Sequence, residues 1–127
     1  MNPLKATMMQ AVMGMELQSK RMGITSENIS NADTPGYQRK LLMLSPQPTA
    51  GAQFLSTRVQ LDQAAGTQSF DPSHPLADAD GYVTMSNVSL VTELADMREA
   101  NRSYEANLNS FQQARSMYRS LLDVLRR

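Results

Sequence analysis

The segment from residue 87 to residue 127 carries an apolar repeat that constrains the fold more than any other feature of the sequence. Starting at Leu90, steps of four and three residues reach apolar or aromatic side chains everywhere except at two positions, Asn101 and Arg115. This spacing is typical of a helix that packs along its length against another helix. Such a helix, roughly 60 Å long at 1.5 Å per residue, requires a partner because propensity alone rarely holds a helix in water. The predicted seam comprises Leu90, Leu94, Met97, Asn101, Tyr104, Leu108, Phe111, Arg115, Tyr118, Leu122 and Leu125.

The N-terminal segment offers that partner. Asn2 and Pro3 suit a helix start, since Asn can accept hydrogen bonds from the first turn and Pro fits the first helical position. We expect the helix to end at about residue 31, and Pro35-Gly36 to occupy the central positions of a type II turn. The same four-three spacing predicts a second seam, formed by Leu4, Met8, Ala11, Met15, Gln18, Met22, Thr25 and Ile29.

The two predicted helices differ in length, so a simple hairpin would leave roughly 18 Å of the C-terminal seam for another chain. The predicted C-terminal helix carries a second stripe, made of mostly small residues. This stripe indicates either close approach of a further helix or an ordinary solvated face. The N-terminal helix is rich in methionine, which suits either several non-equivalent neighbours or plain core filling. The second stripe comprises Ala100, Ser103, Asn107, Ser110, Ala114, Met117, Leu121 and Val124.

The middle of the chain lacks a helical repeat. Alternating apolar and polar residues predict a strand over 55–61 and a shorter one over 41–44, with Pro46 and Pro48 expected to interrupt such structure. The segment 70–81 is expected to be a loop without regular structure. We therefore predict a mainly α fold: residues 1–32 and 87–127 form a discontinuous domain, a long antiparallel coiled-coil-like helix pair. Residues 33–86 form a central segment of short β-strands and irregular loop.

Composition excludes several classes of function. Twelve basic and twelve acidic residues cancel without a basic patch, which argues against nucleic acid or anionic lipid as a partner. No apolar run is long enough for a membrane span or a cleaved secretory signal. Cysteine is absent, which excludes disulfides and thiol chemistry. Leu, Ile, Val and Phe together form about a fifth of the chain, so we expect a marginal monomer.

Little in the sequence indicates chemistry. Asp78 to Gly81 is similar to the opening of a calcium loop, but the Glu that should close such a loop is missing. His74 lies near Asp71 and Asp78, which allows a metal or hydrolytic role, although a solvent-facing loop histidine is the simpler interpretation. No phosphate-binding loop or nucleophile elbow is present. We predict no catalytic residue, no metal ion and no cofactor.

Two stretches resemble known proteins. Residues 26–37, SENISNADTPGY, resemble the N-terminal signature of the axial proteins of the bacterial flagellum, which build its rod and hook. Residues 70–107, FDPSHPLADADGYVTMSNVSLVTELADMREANRSYEAN, resemble a stretch of the C-type proteins of the proximal rod, with Ser86 where that pattern has Pro. The resemblance implies a structural rod subunit for motility, with its terminal helices paired inside the tube.

The same resemblance implies partners and a location. The partners are copies of the chain, other rod proteins, the membrane ring, the hook-basal-body adaptor and the type III export apparatus, with no nucleic acid and no membrane insertion. The location is the rod in the periplasmic space, reached without a cleaved signal peptide. The alternatives are another flagellar rod protein or a helical-hairpin export chaperone or binding module. Residues expected to support assembly are Met8, Met15, Met22, Asn28, Asn31, Pro35, Gly36, Leu90, Leu94, Tyr104, Leu108, Phe111 and Leu122.

Overall fold

The structure is a computed structural model that describes residues 2–49 and 52–127. Two long helices lie at the two ends of the chain, and the part of the sequence between them forms antiparallel strands, as the sequence predicted. The elements in chain order are α1 (Pro3–Ser30), β1 (Lys40–Thr49), β2 (Ala52–Leu61), β3 (Gln68–Phe70), β4 (Tyr82–Thr84) and α2 (Leu90–Leu125).

Helix α1 begins and ends close to the predicted positions. The side-chain oxygen of Asn2 accepts a hydrogen bond of 2.9 Å from the amide of Leu4, which is the expected N-terminal cap. At the other end, the Asn31 amide group donates 2.9 Å to the carbonyl of Glu27 and so occupies one of the last carbonyls of the helix. The chain then leaves helical geometry.

Helix α2 begins at Leu90, three residues later than the predicted start at residue 87. The side chain of Asn87 bonds to distant backbone groups, and the amide of Val88 donates to the Ser86 hydroxyl at 3.1 Å. These bonds hold residues 86–88 outside the helix, and the first helical bond runs from Glu93 N to the carbonyl of Ser89.

The strands form two separate antiparallel ribbons. Strand β1 pairs with β2 from Lys40 opposite Leu61 onward, and the strands predicted at 41–44 and 55–61 lie within this ribbon. The expectation that Pro46 and Pro48 interrupt strand structure is wrong, because β1 runs through both. Each strand of a two-stranded ribbon has one edge that pairs with no other strand. A proline whose nitrogen lies on that edge removes no hydrogen bond between the strands. The short strands β3 and β4 bracket the irregular loop, with Phe70 opposite Tyr82.

The chain divides into two units. The helical unit comprises Met1–Gly23 and Asp96–Arg127, and the hairpin unit comprises Ile24–Ala95. Both long helices therefore contribute to both units. Within the described residues, neither helix combines the length and the apolar composition needed to cross a membrane.

In the helical unit the two helices run antiparallel. Arg21 pairs with Glu99 at 3.8 Å, and the ammonium of Lys5 lies 5.5 Å from the centre of the Tyr118 ring. Between these contacts a Cβ atom added to Gly14 would lie 2.7 Å from the side chain of one residue on α2, Asn107. The helices therefore approach closely, which requires small residues on the facing surfaces.

The residues that α2 buries differ from either predicted stripe. The residues that α2 buries come alternately from the two stripes, and we refer to them as the buried line. The small members of the second stripe allow close contact, while the aromatic members of the first stripe pack beside them. Ala100 and Ala114 are buried, and the other members of the line are half-buried. On α1, by contrast, every member of the predicted seam is buried or half-buried. The line on α2 comprises Met97, Ala100, Tyr104, Asn107, Phe111, Ala114 and Tyr118.

Candidate functional site

Two polar side chains, rather than apolar ones, are the largest fully buried groups of the described residues. Asn28 lies near the end of α1 and Glu93 lies in the first turn of α2, and each is 1% exposed. Polar groups at such depth are stable only when they are paired. Their partners therefore define the most constrained site of the hairpin unit.

Asn28 uses both ends of its side-chain amide. Its oxygen accepts hydrogen bonds of 2.9 Å from the Tyr37 hydroxyl and from the backbone amide of Lys40. Its nitrogen donates 3.0 Å to the carbonyl of Lys40 and 3.3 Å to the Glu93 carboxylate. Asn28 thus bonds to the backbone of Lys40 as a neighbouring strand would, which fixes the start of β1 against the end of α1.

Glu93 provides the negative charge of the site. One carboxylate oxygen pairs with the guanidinium Nε of Arg39, and the other accepts the bond from Asn28. A carboxylate in the first turn of a helix also interacts favourably with the free amides there. Because Glu93 is buried and charged, loss of Arg39 or Asn28 would leave one of its two carboxylate oxygens without this partner, which is costly for a buried charge.

Asn87, three residues before α2, bonds to residues that flank the two strands of the long ribbon, just before β1 and just after β2. Its side-chain oxygen accepts a bond of 2.6 Å from the amide of Arg39, and its nitrogen donates to the carbonyls of Asp62 and Ala64 at 3.1 and 3.0 Å. We refer to Asn28, Tyr37, Arg39, Lys40, Asn87 and Glu93 as the polar junction.

The turn after α1 lies beside the polar junction. Tyr37 N donates to the carbonyl of Thr34 at 3.2 Å, and Gly36 has a φ of 74°, so Pro35 and Gly36 occupy the predicted type II turn. The amide of Gly36 donates 3.0 Å to the carbonyl of Thr84, the last residue of β4. A cleft of about 290 Å³ between this turn, residues 63–66 and residues 84, 85 and 87 is lined by uncharged side chains, among them Tyr37.

Two residues of the polar junction, Tyr37 and Lys40, have a raised pKa. Burial, followed by the negative charge of Glu27, raises the pKa of the Tyr37 hydroxyl above its ordinary value of 10.0. A side-chain hydrogen bond to Glu27 raises the pKa of the Lys40 ammonium above 10.5. Tyr37 therefore remains neutral and Lys40 charged at neutral pH, which are the states that the hydrogen bonds require.

The hydrogen bonds of the polar junction hold backbone segments in place that lie far apart in the sequence. No buried side-chain nitrogen or oxygen of the described residues lacks a hydrogen-bond partner. Nowhere in residues 2–49 and 52–127 do three His, Asp or Glu side chains meet in a way that could hold a metal ion. The polar junction is thus suited to fixing geometry.

The irregular loop between β3 and β4 contains its own hydrogen bonds. Asp78 accepts hydrogen bonds from the amides of Asp80 and Tyr82 at 3.0 and 2.9 Å through one carboxylate oxygen. The Nδ1 atom of His74 accepts from the amide of Leu76 at 3.0 Å, and the Ser73 hydroxyl donates to Asp71. These side chains stabilise turns of the loop.

The residues predicted to support assembly lie in different environments. Tyr104, Leu108 and Phe111 are half-buried on α2, as are Met8, Met15 and Met22 on α1. Leu90, Leu94 and Leu122 are exposed. Of the predicted turn residues, Asn28 lies in the polar junction, whereas Asn31, Pro35 and Gly36 lie in the segment that follows α1.

Sequence reasoning missed most of the polar junction. Tyr37, Arg39, Lys40, Asn87 and Glu93 were not identified as site residues. The available signal was weak: Glu93 lies among apolar residues in SLVTELADM, six positions after Asn87. A pair such as Asn28 and Glu93, separated by 65 positions, has no periodicity that could reveal it.

Comparison with known proteins identifies the family. Residues 8–38 match the family described as flagella basal body rod protein, and residues 79–124 match the C-terminal family of flagellar basal body rod FlgEFG proteins. Asn28 and Tyr37 of the polar junction lie in the first match, and Asn87 and Glu93 lie in the second.

Full-length relatives agree with these matches. The chain is 40% identical to the flagellar basal-body rod protein FlgC of Agrobacterium fabrum, over 99% of this chain and 98% of the relative. It is 35% identical to FlgC of Salmonella typhimurium over 79% and 81%, and 30% identical to FlgC of Borreliella burgdorferi over 88% and 91% of the two chains. The chain belongs to the FlgC family of flagellar basal-body rod proteins.

Proposed function

We propose that the protein acts as a structural subunit of the proximal rod of the flagellar basal body, and that its role is mechanical and not catalytic. The observation that supports this most strongly is the 40% identity to a basal-body rod protein over nearly the whole chain. Long helices with unpartnered apolar side chains, and a polar site without a free reactive group, suit a subunit of a shaft.

In this proposal the helices provide the contacts and the polar junction provides stiffness. Exposed Leu90, Leu94 and Leu122 pack against neighbouring subunits, and half-buried Tyr104 and Leu108 lose their remaining exposure on assembly. Directional hydrogen bonds to Asn28 and Glu93 fix one arrangement of chain segments in the hairpin unit. A shaft that transmits torque requires such a unique geometry in each subunit.

We extend the proposal to partners and location. The subunit assembles with copies of itself and with other rod proteins, and contacts the membrane ring and the hook-basal-body adaptor. It reaches the periplasmic part of the rod through the type III export apparatus without a cleaved signal peptide. These steps rest on the family membership and on the sequence signature at residues 26–37.

A genetic experiment tests the function. Leu108→Asp places a carboxylate on a half-buried apolar position, where desolvation costs several kcal/mol or forces protonation. Asn109→Asp introduces the same group at the adjacent exposed position and serves as the matched control. We expect cells with Leu108→Asp to make the protein but lack complete rods and swimming, while Asn109→Asp cells swim. Normal rods in cells that lack the chain altogether would refute the proposed function.

The absence of a metal or cofactor is a separate part of the proposal. Isothermal titration of the pure protein with Ca²⁺ or Zn²⁺ should give no stoichiometric binding, because backbone amides already occupy acceptor atoms of Asp78 and His74. The closing Glu of a calcium loop is also missing. Micromolar or tighter binding, abolished by Asp78→Asn, would overturn this part.

A further inference from the structure

The last two turns of α2 present an uncovered apolar stripe. Residues 119–127 are all exposed, and Met117 and Leu125 are 60% and 73% exposed. Position 121 lies four residues after 117, and positions 124 and 125 lie three and four residues after 121, so all four share one side of the helix. Leu122 extends this stripe toward the arginines at 119 and 126, which lie three and four positions away.

The charge of this helix end is strongly positive. Residues 115–127 contain four arginines and one acid, Asp123. We refer to residues 115–127, with their apolar stripe and arginines, as the basic helix end. Apolar groups bordered by charge of one sign favour a partner that presents apolar groups bordered by the opposite charge.

A surface of that kind exists in the hairpin unit. Phe70 and Leu76 are each 65% exposed, and the ring of Phe70 packs edge-on against Tyr82 with 5.3 Å between ring centres. The loop that carries these side chains is held together by bonds between Asp78 and Tyr82 and between Asp71 and Gly81. They therefore form one patch.

The segment of the chain that carries this patch is negatively charged. Asp71, Asp78 and Asp80 lie in the loop, and no Lys or Arg occurs anywhere from residue 59 to residue 97. The carboxylate of Asp80 makes no hydrogen bond to the described residues, so it is available to a partner. We refer to Phe70, Leu76 and Tyr82 with these three aspartates as the acidic loop patch.

We infer that the basic helix end of one copy of the chain docks on the acidic loop patch of a second copy. Both surfaces are exposed and apolar at their centres, and their charges are opposite. Because the two surfaces differ, the contact is head-to-tail and each copy keeps one surface of each kind free for the next. The inference rests on the proposed function, since it specifies one contact between rod subunits.

Charge reversal tests the contact in a way that is independent of rod assembly. Arg119→Glu/Arg126→Glu makes the helix end acidic, and Asp71→Lys/Asp80→Lys makes the loop patch basic. Each variant alone should self-associate at least about tenfold more weakly than the wild type in sedimentation at low salt, with circular dichroism unchanged. A mixture of the two should recover association to within about threefold, because each helix end again meets a loop of opposite charge. The exposed pair Arg58→Glu/Arg102→Glu is the matched control and should behave as wild type.

Cross-linking provides the direct measurement, since the chain has no cysteine of its own. We expect a mixture of Leu76→Cys and Leu125→Cys chains to form a disulfide-linked heterodimer at least about tenfold faster than either alone forms homodimers. Arg102→Cys in place of Leu125→Cys is the control. Reversal variants that associate as the wild type, a mixture that fails to recover, or no excess of heterodimer would each overturn the inference. If these results occurred while Leu108→Asp still abolished rods, the proposed function would stand and this contact alone would be rejected.

Discussion

The helical unit and the hairpin unit are stabilised by different chemistry. In the helical unit the buried residues are small and apolar, Ala11, Ala100 and Ala114, and the ion pair between the helices is long and exposed. In the hairpin unit the fully buried side chains are mainly polar, with Asn28 and Glu93 at the centre. A repeated apolar seam defines which faces of two helices meet, but it specifies their register only weakly. A buried polar site is stable only in the one arrangement of chain segments that satisfies all of its hydrogen bonds.

This difference predicts that removing the charge of Glu93 lowers the stability of the hairpin unit more than removing one charged side chain lowers the stability of the helical unit. Glu93→Ala would remove the buried carboxylate that pairs with the Arg39 guanidinium and accepts a hydrogen bond from the Asn28 amide. We expect this variant to lower the free energy of unfolding of the hairpin unit by about 3–5 kcal/mol. Amide hydrogen exchange at Lys40 and Met85, both bonded in this unit, would measure the loss.

The same helix supplies the control for this prediction. Glu99 pairs with Arg21 at 3.8 Å and is largely exposed, so Glu99→Ala should change the free energy of unfolding by less than about 1 kcal/mol. Equal effects at Glu93 and Glu99 would show that the polar junction contributes no more than a surface ion pair.

The second prediction concerns the small residues of the helical unit. Ala100 is completely buried at the close approach of the two helices, so Ala100→Leu should force the helices apart and cost about 1–3 kcal/mol. Ala106→Leu makes the same change at an exposed position of α2 and should be nearly neutral. Urea unfolding followed by circular dichroism would compare them, and a harmless Ala100→Leu would mean that the buried line is misassigned.

The same contrast explains what the sequence could predict. The seam on α1 and the existence of α2 follow from local periodicity, because each turn of a helix repeats the choice between apolar and polar. The type II turn at Pro35-Gly36 also follows locally, since few residues other than Gly adopt its positive φ. These features need no knowledge of distant contacts.

The remaining features depend on distant contacts. Asn87 looks like a helix start in the sequence, yet its side chain bonds to Arg39, just before β1, and to residues 62 and 64, so α2 begins later. The buried line on α2 combines members of two stripes, because the close approach of α1 at Gly14 selects small residues that a hydrophobicity pattern undervalues. Glu93 reads as a solvated charge until Arg39 and Asn28 are placed beside it.

The third prediction uses pH to separate the units. Tyr37 and Lys40 both have pKa values raised in the folded state, so the folded hairpin unit retains protons that the unfolded chain releases. Their contribution to stability is therefore fully present below about pH 10 and is lost as the pH rises through the folded pKa values. We expect hydrogen exchange in the hairpin unit to become less protected above pH 10.

Tyr37→Phe tests whether the hydroxyl is responsible. It removes the bond to Asn28 and should cost about 1 kcal/mol at pH 8, with a shallower loss of stability above pH 10. Tyr82→Phe, at an exposed tyrosine whose hydroxyl makes no bond to the described residues, should leave both quantities unchanged. An alkaline profile that is identical in all three proteins would exclude Tyr37 as a source of the pH dependence.

The smallest predicted effect measures how close the helices are. Gly23→Ala adds a methyl group with nothing within 4 Å, so it should stabilise the helical unit by about 0.5–1 kcal/mol through the better helix propensity of Ala. Gly14→Ala has the same benefit but must displace the Asn107 side chain, which donates to the Ser103 carbonyl at 3.0 Å. We expect Gly14→Ala to be less stabilising than Gly23→Ala by at least about 0.5 kcal/mol, and the difference to shrink in an Asn107→Ala background. Thermal unfolding of the four variants supplies the cycle, and equal gains at both glycines would mean that the helices do not approach closely at Gly14.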